Sequence, residues 1–138
     1  MALNRLIYFL LSFIFTTTIS LHAMAQDQII RKPLLTASPI NKMVKTTEIK
    51  EIVFKPLQKT GLHLHPCPVV GYIAEGTATF QVKGGPLQTL KAGDAFYEPA
   101  ETVIEHFDNA SDTLPLKFIC FYLRGDEKEI IRHLPENK

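Results

Sequence analysis

Residues 61–82, GLHLHPCPVVGYIAEGTATFQV, decide how this chain is read. The first eight set His63 and His65 two positions apart in a segment whose Pro66 and Pro68 rule out a helix. In an extended strand, side chains at i and i+2 share a face, so the two imidazoles are expected side by side, about 6 to 7 Å apart along the strand. That is close enough for one metal ion with Zn, Fe, Mn or Ni chemistry to bridge them. A His-x-His pair alone is a weak signal, because paired core or surface histidines also explain it. Context has to decide.

The rest of that stretch reads as β structure. Residues 69–74 and 77–82 form two strands around a tight turn at Glu75 and Gly76, since glycine supplies the positive φ such turns need. The second strand alternates, with Ala78, Phe80 and Val82 on one face and Thr77, Thr79 and Gln81 on the other. Downstream, a Gly-Gly-Pro turn at 84–86 leads to a short strand at 87–90, and Gly93 and Asp94 turn the chain into residues 95–98, which stop at Pro99. Residues 102–107 are a β-branched run that carries His106.

After the polar stop at 108–113 comes the longest apolar strand, 114–123, with Leu116, Phe118, Cys120 and Tyr122 on one face and Lys117, Ile119, Phe121 and Leu123 on the other. Two largely apolar faces predict burial on both, between sheets or against a second subunit, and a homodimer is expected. Ile130, Ile131 and Leu134 predict a short C-terminal helix over 126–134. Upstream, residues 47–54 read as a strand bounded by Pro56, and residues 26–46 as a mostly irregular lead-in with one strand near 40–44. So many short strands between Gly, Pro and Asn turns predict an all-β sandwich or barrel occupying residues 47–138.

The N-terminus has a different character. Arg5, an apolar run over 6–15 and Ala23-Met24-Ala25 are the parts of a secretory signal peptide covering residues 1–25. The run is well short of the roughly 20 apolar residues that span a bilayer, so no membrane association is expected after cleavage. Removing 25 of 138 residues leaves 113, enough for one domain with a modest core, in the periplasm or secreted. Arg5 is the only charge removed, which leaves 14 basic against 14 acidic side chains and argues against nucleic acid as a partner. Cys67 and Cys120 are the two cysteines; in an exported protein they either form one disulfide or remain separate thiols, and sequence cannot judge the geometry.

With the strands in place, the chain resembles the cupin family, small jelly-roll β-barrels with a metal at the barrel centre. The first cupin motif runs His-x-His, three or four residues, Glu, six residues, Gly. His63, His65 and Gly76 fit it, while the Glu slot falls on Val69. The second runs Gly, five residues, Pro-x-Gly, two residues, His, three residues, Asn. Gly93 and Pro99 match in register, Glu101 stands in the glycine slot, and four residues rather than two precede His106.

The resemblance implies a divalent metal ion, Fe, Mn, Zn or Ni, held by His63, His65 and His106, a three-imidazole site with open positions for water or an anionic substrate. Cys67 and Glu101 are the candidates to replace the missing carboxylate; Glu98, Glu101 and Glu105 otherwise read as solvated, and His133 as part of a polar tail. The functional reading is metal-dependent chemistry on a small organic substrate, resembling cupin dioxygenases and isomerases. The alternative is a non-catalytic barrel that binds a small molecule or metal. A structural role through residues 114–123 would leave the histidines unexplained.

Overall fold

A computed structural model describes residues 29–38 and 43–135. The expected signal peptide lies outside the described residues, as does most of the strand expected near residue 40; residues 43–45 are not in a strand. Residues 33–138 form one compact unit.

Nine strands and no helix make up the described chain: β1 Thr46–Phe54, β2 His63–Leu64, β3 Val69–Glu75, β4 Thr77–Val82, β5 Gln88–Lys91, β6 Ala95–Glu98, β7 Val103–Asn109, β8 Leu116–Arg124 and β9 Arg132–His133. They form two antiparallel sheets, one ordered β1-β8-β3-β6 and the other β5-β4-β7-β2-β9. The expected all-β barrel of jelly-roll type is present.

The expected C-terminal helix is not. Three apolar residues are too few to commit a short segment to a helix, whereas β2 offers an unpaired edge that residues 132–133 complete as β9. Ile130 still packs against the core, so the apolar residues of this tail serve as anchors for a strap.

The turn at Gly76 has the positive φ expected of it, 85°, but it is a corner and no hairpin. Both edges of β3 are taken, by β6 and β8, so the chain leaves that sheet at Gly76 and β4 begins in the other. The backbone of Pro115 would lie 2.6 Å from a Cβ at Gly76, so glycine is needed there for space as well as for conformation.

Between the sheets lies an aromatic core. Phe107 packs on Phe118 at 4.6 Å and on Phe96 at 4.8 Å, with Phe54 edge-on to Phe118 at 5.2 Å. These centroid distances suit edge-to-face and tilted pairs, each adding about 0.5 to 1.5 kcal/mol to the burial of the rings. As its alternation predicts, β8 sends Leu116, Phe118, Cys120 and Tyr122 inward, all buried. Its other face, with Ile119 and Phe121, is only half-buried.

Candidate metal centre

Residues 61–69 carry the chain from one sheet to the other. His63 sits in β2 between β7 and β9, and beyond Leu64 the chain crosses through Pro66, Cys67 and Pro68, all fully buried, into β3. Two prolines without N–H donors suit a crossing that makes no ladder; the Pro68 carbonyl instead accepts from the Leu123 amide at 2.9 Å. The crossing leaves both imidazoles inside, His63 only 2% and His65 only 4% exposed, with ring centroids 5.2 Å apart and planes at 84°.

Each ring is oriented from behind. His63 Nδ1 donates to the Gly61 carbonyl at 2.9 Å and His65 Nδ1 to the Ile130 carbonyl, so in both the Nε2 atom is left for the interior. On that inner side of His65 lies Glu98, at the end of β6, 3% exposed and with Oε2 3.0 Å from His65 Nε2. Burial works against the charged form of both imidazoles. It lowers the pKa of His63 below the usual 6.5. At His65 burial is outweighed by the hydrogen bond and negative charge of Glu98, and the pKa is raised above 6.5.

His63, His65 and Glu98 each offer a donor atom, and these atoms all lie within 4.8 Å of one another. Two imidazole nitrogens and a carboxylate oxygen form a donor set suited to a divalent transition metal, and the backbone carbonyls behind the rings fix their tautomers. The three residues could hold a metal ion.

They line a cavity of about 290 Å³ walled by Phe54, Phe107, Phe118 and Tyr122, with Lys59 and His133 also on its lining. Tyr122 stands 5.6 Å from the His65 ring. Burial pushes up both the Tyr122 hydroxyl and the Cys120 thiol, which keeps them neutral.

His106 is placed elsewhere. Its Nδ1 pairs with Asp108 Oδ2 at 3.0 Å, and its side chain is 44% exposed. The cause is a β-bulge: Gln81 faces His106 and Val82 faces Ile104, so Glu105 is an extra residue in β7. Ile104 and Phe107 therefore both point inward and His106 points out. Ile104 occupies the slot that the second cupin motif gives to histidine, and it is directly paired with His63. Glu101 keeps the conformation of the glycine slot it fills, with φ 55°, and its carboxylate turns outward to Arg132 at 3.4 Å. Cys67 and Cys120 are both buried and unbridged, and Cys67 is outside the donor cluster.

Glu98, expected to be solvated, was missed, although its signal was readable: it lies two residues after Phe96 on a strand whose inner face is apolar. His133, expected in a polar tail, is instead the β9 partner of His63.

The Cupin domain family matches residues 50–122, more than half of the chain. The chain belongs to the cupin family. Solved structures share the fold of this cupin. A cupin-like protein from Thermotoga maritima is 26% identical with a TM-score of 0.55, over 64% of each chain. The DMSP lyase DddQ from Ruegeria pomeroyi is 22% identical with a TM-score of 0.58, over 67% of this chain and 45% of that one. The polyketide cyclase RemF from Streptomyces resistomycificus is 17% identical with a TM-score of 0.54, over 67% of this chain and 63% of that one. In each case the match spans less than two thirds of the relative's length. No curated protein matches the chain.

Proposed function

We propose that this cupin is an exported protein that holds one divalent metal ion, Fe, Mn, Zn or Ni, on His63, His65 and Glu98, and acts on a small organic molecule bound in the adjoining cavity. The observation that carries the reading is the convergence of three buried donors at the wall of an otherwise largely aromatic and apolar pocket. Buried polar groups are costly unless they are satisfied, and a carboxylate kept inside a core against one histidine suits a ligand set better than a structural pair.

A divalent ion there supplies Lewis acidity toward a carbonyl or enol oxygen of a bound molecule. The protein's own contribution is exclusion of water by Phe54, Phe107 and Phe118, orientation of His63 and His65 through their Nδ1 hydrogens, and a neutral Tyr122 hydroxyl beside the site. Solved structures of the same fold include a lyase and a cyclase, and we read this cupin likewise as an enzyme, dioxygenase- or isomerase-like, with a non-catalytic binding barrel as the alternative. Metal analysis of the native protein, followed by titration of metal-free protein with Fe(II), Mn(II), Ni(II) and Zn(II), tests the reading. One ion per chain, lost in His63→Ala and in Glu98→Gln, is expected; substoichiometric metal insensitive to both changes would overturn it.

The proposal extends to a homodimer through the outer face of the β1-β8-β3-β6 sheet. Ile49 and Val53 on β1 are 59% and 53% exposed, and Ile49 is paired with Phe121 and Tyr72 with Ile119 on that face. Export rests on the sequence features of residues 1–25. N-terminal sequencing of the native protein should start near Gln26; a start at Met1 would contradict export.

A further inference from the structure

We propose that His133, on the C-terminal strap, supplies a third imidazole to the ion held by His63, His65 and Glu98. The inference rests on that three-residue reading and adds a ligand which neither cupin motif contains. The motif slot that would have carried this histidine holds Ile104, on one side of His63 in the ladder. On the other side of His63, in direct register, is His133. Directly opposed residues on antiparallel strands project from the same sheet face, with Cβ atoms about 4.5 to 5.5 Å apart. His133 accordingly lines the same cavity as His63.

Distance decides whether one ion can serve both rings. A metal–nitrogen bond of about 2.1 Å and a further ~1.2 Å to the ring centre place two imidazoles on one ion with centroids up to about 6.6 Å apart. The His63 and His133 centroids are 6.2 Å apart; that limit holds for two rings on opposite sides of the ion, and adjacent ligands sit about 4.7 to 5.4 Å apart, so the His133 ring turns inward to bind. His133 is not yet among the converging donors, and it is exposed at the mouth, so it has room to turn.

The strap that carries it is fixed on both sides. The Ile130 carbonyl accepts from His65, the Leu134 amide donates to the Leu62 carbonyl at 2.8 Å, and Arg132 meets Glu101 at 3.4 Å. Ile131 also lines the cavity. The same segment therefore orients one ligand from behind and brings another to the front.

The test is Co(II) binding to the metal-free protein, read by calorimetry and by X-ray absorption, which registers imidazole ligands. Wild type should show three imidazoles and His133→Gln two, with affinity reduced at least about 10-fold. Ile104→His placed on the His133→Gln background supplies an imidazole from the other neighbour of His63 and should restore the third scatterer. Thermal melts of the metal-free variants report on folding separately. Two imidazoles in wild type with unchanged affinity in His133→Gln would overturn the role of His133 while leaving the three-residue site standing. Absence of stoichiometric Co(II) binding by wild type would overturn both.

Discussion

Val69 and Glu98 are direct cross-strand partners in the β3–β6 ladder. Val69 occupies the position that the first cupin motif gives to glutamate, so the carboxylate absent from β3 stands one strand away, on the same face, at hydrogen-bond distance from His65. Opposed Cβ atoms are only about 5 Å apart, within the span of a glutamate side chain. Exchanging the pair should therefore preserve the site. Glu98→Val alone is expected to weaken divalent metal binding on the order of 100-fold, and Val69→Glu in the same chain to recover most of it. Titration calorimetry of the single and double variants checks this, and a double variant as weak as Glu98→Val would show that the two positions are not interchangeable.

His106 provides the converse. Because the bulge at Glu105 turns it outward to Asp108, His106→Ala should leave metal affinity within about 2-fold of wild type but lower stability by roughly 1 to 3 kcal/mol, since Asp108, whose side chain is only 12% exposed, loses its hydrogen-bond partner. Calorimetry beside a denaturant titration measures both. A loss comparable to that of His63→Ala would mean that the register of β7 changes when metal binds.

The contrast between Glu98 and His106 shows what was legible in the sequence. Strand positions, the positive φ at Gly76 and the two faces of β8 follow from period-two alternation and turn chemistry, which are local. The His63 and His65 pair is local as well. Which residues join it depends on register between strands distant in sequence, and a single inserted residue reverses every later side chain. The bulge at Glu105 leaves no mark in composition, and regular alternation puts His106 on the face opposite to the one it occupies. Glu98 was hidden because its role depends on Val69 being opposite. The tail was misread because a strap paired to a free sheet edge has no periodicity long enough to detect.

The proton on His65 gives the site a pH dependence of fixed sign. Its pKa is raised above 6.5 because, against burial, Glu98 holds the charged form, and in that form Nε2 has no lone pair for a metal. Metal affinity should thus fall as pH drops, and the fall should begin above pH 6.5, approaching tenfold per unit while one proton is displaced. Burial holds His63 below 6.5, so its proton adds to the competition only at lower pH. Glu98→Gln removes the carboxylate charge and should move the His65 titration downward in the metal-free protein. NMR titration of the imidazole protons, paired with calorimetry in buffers of different ionisation heat, would follow both effects. A His65 midpoint below 6.5 in wild type would contradict this account.

Gly71 and Phe96 set the tightness of the core behind the site. They are paired across β3 and β6, and a Cβ at Gly71 would lie 2.0 Å from the Phe96 ring, so neither can be enlarged without moving the other. Gly71→Ala should destabilise the fold by about 2 kcal/mol or more, since a buried ring must leave its rotamer or the strands must separate. For a domain of this size that is a drop of roughly 10 °C in melting temperature. Phe96→Leu opens space for the added methyl, so the double variant should be clearly more stable than the sum of the two single changes predicts. Simple additivity in thermal melts would place the clash elsewhere.

The proposed dimer can be broken without touching the site, because β1 is an edge strand of its sheet and Ile49 points away from the cavity. With Val53, Phe121 and Tyr72 it belongs to a largely apolar patch, shared with Glu51 and Lys117, on a sheet that has no second layer on that side among the described residues. A two-fold interface brings each patch against its copy, so one Ile49→Lys change introduces two charges into the contact. The lysine remains solvated in a monomer, and metal binding and the melting profile at low protein concentration should change little. Sedimentation velocity at micromolar concentration should give a dimer for the wild type and a monomer for the variant. A wild type that sediments as a monomer would remove the second subunit from this face, and the half-buried outer side of β8 would then be simply solvent-facing.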